Sequence, residues 1–87
     1  MRPTSKSQPD LREVEFKQTF GRRLKAWREE RNLTQEQIAH FLNVGRDGYK
    51  KWEYGSTAFP SYLLSSLVMF SQRSISWWLT GKDGLLP

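Results

Sequence analysis

Apolar residues recur every three or four positions through the first third of the chain: Phe16, Phe20, Leu24 and Trp27. At about 100° of rotation per residue these four share one stripe of a helix. Lys17, Arg22, Lys25 and Glu29 fall on the other face. Asp10 follows Pro9 and stands three residues before Glu13, a capping-box-like pair that opens the helix. Gly21 interrupts it at a cost of about 1 kcal/mol relative to alanine, so close backbone packing is expected there. The helix is expected to end near Asn32.

A second helix follows at once. Thr34 is its N-cap, Gln37 completes a capping box, and Leu33 with Ile38 forms a hydrophobic staple. Ile38, Ala39 and Leu42 make its inward face, and Asn43 tolerates the left-handed conformation that ends it. Val44 and Gly45 form a tight turn into a third helix, Arg46 to about Tyr54, stopped by Gly55. Tyr49 and Trp52 point it at the core; Arg46, Asp47, Lys50 and Lys51 face elsewhere. After a loop from Ser56 to Phe59, Pro60 suits the first turn of a fourth helix carrying Leu63, Leu64, Leu67 and Phe70. Ser74 caps a short fifth helix, Ile75 to Thr80, ended by Gly81. With no alternating strand pattern and no internal repeat, the fold class is all-α with five helices. Residues 1–9 lack apolar anchors and read as a flexible arm, 10–81 as the domain and 82–87 as a C-terminal tail.

Composition narrows the chemistry. A chain of 87 residues is one domain at most. It has no cysteine, which excludes disulfides, thiolate zinc sites and cysteine nucleophiles. Its one histidine, His40, rules out a multi-histidine metal cage, and no metal or cofactor is expected. The apolar run from Leu63 to Phe70 is broken by Ser65 and Ser66 and is too short to cross a bilayer. No signal peptide is read at the N-terminus, and a cytoplasmic location without membrane partners is expected. The balance of 14 Lys and Arg against 9 Asp and Glu, net +5, favours a polyanionic partner.

Helices two and three, joined by a short turn, have the helix-turn-helix layout. The run Leu33-Thr34-Gln35-Glu36-Gln37-Ile38-Ala39, then Val44, then Trp52-Glu53-Tyr54-Gly55, then Pro60, resembles the Cro/CI-type helix-turn-helix family, the Xre or lambda-repressor-like domains. The likeness extends upstream to Phe20-Gly21, Leu24 and Arg28, and downstream to Ser76-Trp77-Trp78-Leu79-Thr80-Gly81. It implies a sequence-specific regulator of double-stranded DNA, reading the major groove with helix three. On that resemblance, Arg46, Asp47 and Lys51 are the base-reading residues. Arg46 suits guanine O6 and N7; Asp47 suits cytosine N4 or orients Arg46. Gln35, Gly45, Lys50, Tyr54, Ser56 and Thr57 are the backbone contacts, and Arg28 and Glu53 take the place of an internal ion pair.

The sequence departs from the family pattern at three places. Gly45 replaces the Ser or Thr N-cap, Gly48 sits inside the recognition helix, and the loop Ser56-Thr57-Ala58-Phe59 lacks a basic residue. His40 reads as a surface residue. Glu29 and Glu30 are adjacent and diverge, so they make no acid–base pair, and no enzyme activity is expected. Two recognition helices are normally needed for useful specificity, so a homodimer is expected, with Ile75, Trp77, Leu85 and Leu86 as interface candidates. The resemblance implies a phage or prophage-type repressor, and two alternatives stand beside it: an antitoxin that also binds a toxin, and a protein-interaction module that has lost DNA binding.

Overall fold

Among the described residues, every α-helix ends in a left-handed residue or a turn leading to one, and those stops dictate the layout. The computed structural model describes residues 10–83; the arm 1–9 and the tail residues 84–87, with Leu85 and Leu86, lie outside the described residues. Helix α1 (Leu11–Glu30) starts at Asp10, whose side chain accepts from the Arg12 amide. It stops two residues short of Asn32 because Asn32 takes φ 56°. The Leu33 and Asn32 amides then bond back to the Arg28 and Glu29 carbonyls at 3.0 Å each, a Schellman stop. Helix α2 (Gln35–Leu42) has the full capping box between Thr34 and Gln37, and Asn43 at φ 60° ends it. Helix α3 (Arg46–Tyr54) has Gly45 as an N-cap without a side-chain bond, and Gly55 at φ 86° as its stop.

Pro60 does not open the fourth helix directly. With no side-chain cap at this point, the chain first makes a single 3₁₀ turn, Ser61–Leu63, and α4 (Leu64–Ser71) follows. Helix α5 (Ile75–Thr80) begins at Ser74, whose hydroxyl accepts from the Trp77 amide. Five α-helices and no strand among the described residues make the fold all-α.

Helix α1 is the spine. It packs against α3 and α5, while α2 packs on α3 and α4 on α5. Phe20, Leu24 and Trp27 bury its stripe against Ile38, Ala39, Leu42, Tyr49, Phe59, Leu63, Leu67 and Trp78. Phe20 stacks on Phe59 with centroids 5.1 Å apart. Of the tryptophan pair, Trp78 is fully buried and its Nε1 donates to the equally buried Ser71 hydroxyl at 2.9 Å. Trp77 is half-buried, edge-on to Trp78, with the Arg73 guanidinium 4.0 Å from its ring centre.

The close approach expected at Gly21 is present. A Cβ there would lie 2.5 Å from the Trp52 carbonyl oxygen and 2.6 Å from that of Glu53. The glycine lets the spine touch the backbone of α3, which fixes the third helix in place.

Candidate nucleic-acid interface

The Glu53 carboxylate is the fixed point of the α1–α2–α3 unit. Arg28 of α1 donates to it twice, from Nε at 2.6 Å and Nη2 at 3.1 Å. Gln35 of α2 donates from Nε2 at 3.0 Å, and the Tyr49 hydroxyl donates at 2.6 Å. The Glu53 side chain is only 4% exposed and that of Arg28 12%. Arg28 also donates from Nη1 to the Leu33 carbonyl at 3.0 Å, which holds the turn before α2. Three helices thus meet on one satisfied carboxylate.

Burial alone would push the Glu53 carboxyl up. The hydrogen bonds from Arg28, Tyr49 and Gln35 outweigh it and hold the group below the usual glutamate range. The same contact, after desolvation, raises the Tyr49 phenol, and it raises the Arg28 guanidinium. Glu53 is therefore a stable anion and Tyr49 a permanent donor at neutral pH.

Above this knot opens a cleft of about 800 Å³. Its walls are Lys25 of α1, Gln35 and Glu36 at the start of α2, and Arg46, Lys50 and Tyr54 along α3. Thr34 caps the Gln37 amide, while the Gln35 and Glu36 amides have no intrahelical acceptor and lie at the helix start, an arrangement that receives anions. Helices α2 and α3, the turn Asn43–Gly45 between them and this cationic cleft form a helix-turn-helix unit. The family profile described as a helix-turn-helix domain matches residues 19–64, more than half of the chain. This chain belongs to the helix-turn-helix domain family. No curated protein and no solved structure matches it.

The helix-turn-helix unit sorts the expected site residues into groups. Arg46, Lys50 and Tyr54 share the cleft with Gln35. Asp47 and Lys51 are exposed and lie outside the cleft, about 180° around α3 from the buried Tyr49. Gly45 and Gly48 are exposed too, with nothing within 4 Å of a Cβ built on either. Ser56 and Thr57 sit past the end of α3, their amides bonded to the Lys51 carbonyl at 3.0 and 3.4 Å. Among the candidate interface residues, Ile75 is 42% exposed, while Trp77 is partly covered by Arg73.

Two residues of the cleft and knot carry no obvious sequence signal. Periodicity places Lys25 on the solvated face of α1, yet it lines the cleft. Its spacing of three from Arg28 puts both on one side of the helix, and that was the available signal. Spacing assigns Tyr49 to the core as a ring, without a role for its hydroxyl. Its spacing of four from Glu53 was the signal for the hydroxyl bond.

Proposed function

We propose that this helix-turn-helix domain is a sequence-specific, double-stranded-DNA-binding transcriptional repressor of the Cro/CI type. In this reading residues 10–81 are the DNA-binding unit. Helix α3 enters the major groove and presents Arg46, Asp47 and Lys51 to base edges. Gln35, Lys50, Tyr54, Ser56 and Thr57 contact the backbone, with the Gly45 turn close to it. Lys25 joins them as a further phosphate contact. The observation that carries the reading is the cleft: four positions with hydrogen-bond donors, Lys25, Gln35, Arg46 and Lys50, converge beside the open start of α2.

The knot at Glu53 supports the reading by fixing Gln35. Its Nε2 already donates to Glu53, which aims the side chain before any ligand arrives. One N–H of that amide and the backbone amides of Gln35 and Glu36 are left to meet a phosphate oxygen.

Two copies would place two recognition helices about 34 Å apart on one face of the duplex. Ile75 and Leu79 are each 42% exposed and give that pairing an apolar surface on α5, which packs on α1 and α4. Trp77 and the tail residues Leu85 and Leu86 belong to the same proposed interface. Sedimentation of Trp77→Ala toward monomer, with a larger loss on a palindromic site than on a half-site, is the expected result.

Fluorescence anisotropy of the chain on a labelled random duplex, repeated across salt concentrations, tests the DNA reading. Log affinity should fall linearly with log salt, by about 0.9 for each neutralised phosphate. A chain that binds no duplex even at low salt would instead be a protein-interaction module on the same scaffold.

A further inference from the structure

One of the two α3 positions that face away from Tyr49, outside the cationic cleft, is a carboxylate. Asp47 is exposed and lies on the side of the helix opposite buried Tyr49. Among the described residues, no Lys or Arg nitrogen comes within 4.0 Å of it in an ion pair, although Arg46, Lys50 and Lys51 are all close in sequence. The chain satisfies its other acid on this helix completely, with four donors on Glu53. Asp47, in the first turn of α3, has only the helix start to favour its charge and no cationic side chain paired with it.

We propose that Asp47 is a specificity-determining residue that works by rejection: it weakens binding to DNA in general and releases that penalty only where the groove offers an amino group. The inference rests on the DNA-binding reading above. A carboxylate carried into the major groove loses water and enters the negative potential of two phosphate walls, which is unfavourable for like charges. The groove floor supplies an N–H donor only at certain bases, the cytosine N4 amino group foremost. There the carboxylate accepts a hydrogen bond; elsewhere it stays desolvated and unpaired. Lys51, one turn on, does not cancel the charge, because exposed pairs at that spacing are weak and Lys51 is itself drawn to the duplex.

The flank beside Asp47 fits this role. Gly48 carries no side chain, and open space surrounds the position where a Cβ would be. Nothing in the protein's own packing calls for glycine there, and its absence of bulk lets the helix sit deep enough for a short aspartate to reach the floor.

The test uses the full chain and the site it selects from a random DNA pool. Kd is measured on that site and on random duplex, at one salt concentration, for the wild type, Asp47→Asn and Asp47→Glu. Asp47→Asn should bind random duplex about 3–10-fold more tightly, since it removes one like charge from the interface. Its ratio of selected to random affinity should fall by at least about tenfold, one good base contact. Its salt slope on random duplex should steepen, and Asp47→Glu should keep the wild-type affinity for random duplex. Asn binding random duplex no more tightly than wild type overturns the proposal, and so does Glu tightening as much as Asn. A wild type that binds no duplex at all overturns the DNA reading itself, an outcome distinct from either.

Discussion

The two faces of α3 are built on opposite terms. Its inner face is closed: Tyr49 is fully buried, Glu53 has four donors, and α1 comes so near that only Gly21 fits. Its outer face is open: Arg46, Asp47, Gly48, Lys50 and Lys51 are exposed, and space surrounds the two glycines. The contrast separates two demands on nine residues. The inner face holds the helix in place, and the outer face is left to solvent, where the proposed DNA contact would form. A helix serving stability alone would carry alanine at position 48 and a hydroxyl cap at position 45.

The largest expected effect comes from breaking the inner face. Arg28→Ala leaves the Glu53 carboxylate buried without its main partner and should cost about 3–5 kcal/mol in urea or thermal unfolding. Joint replacement of Arg28 by Met and Glu53 by Leu should recover part of that loss. Additive losses in the double-mutant cycle would contradict the geometry of the pair.

Gly21→Ala comes next. The new methyl group meets two backbone carbonyls of α3, which cannot move aside as a side chain can. A loss of about 1–3 kcal/mol is expected, together with weaker duplex binding as α3 shifts. Unchanged stability would mean that the spine and α3 do not approach as described.

The acid response sharpens the same comparison. Glu53 is held below its ordinary value near 4.5, so the folded state binds this proton less readily than the unfolded chain. Its contribution to stability is fully present above that value and is lost as pH falls through the lower folded pKa. Glu53→Gln should therefore show a shallower loss of stability between neutral pH and pH 3 than the wild type. Parallel pH profiles would remove Glu53 as the source.

Outer-face changes should reverse the pattern. Arg46→Ala is expected to leave stability within about 0.5 kcal/mol, while costing about 1–3 kcal/mol of binding to a selected site and relaxing preference at one base pair. Equal losses on selected and random duplex would make Arg46 a phosphate contact, consistent with its place in the cleft beside Gln35. The smallest effect is at the N-cap. Gly45→Ser has room for its side chain and the extended backbone of a cap, φ −75° and ψ 151°, so a gain of a few tenths of a kcal/mol is expected.

Much of the fold was legible because the chain signals its helix ends locally. Asp10, Thr34 and Ser74 cap starts by side-chain hydrogen bonds, and Asn43, Gly55 and Gly81 end helices in the left-handed region. These devices act within a few residues, so sequence displays them. The stop at Gln72, φ 60°, was not legible, because glutamine has no special tolerance for that conformation and tertiary packing imposes it. The buried Ser71 that receives the Trp78 indole was hidden for a similar reason: the bond spans two helices.

The candidate site was legible where spacing sets it and obscure where packing does. Arg46, Asp47, Lys50 and Lys51 are exposed because Tyr49 and Trp52 turn the helix inward. That Gln35 shares the carboxylate of Glu53, 18 residues away, follows only from how α2 packs on α3. Which of two adjacent tryptophans is buried also depended on contacts across the fold, with Phe20 and Trp27 enclosing Trp78.

The most direct test of the two-faced helix is one variant measured two ways. Arg46, Lys50 and Lys51 are replaced together by alanine, and the full chain is assayed for Tm and for duplex affinity at low salt. The account expects Tm to stay within about 3 °C of wild type, as for exposed substitutions, while duplex binding falls by at least about a hundredfold through the loss of three cations. A variant that keeps its Tm and still binds duplex like the wild type would contradict the assignment of the outer face to DNA.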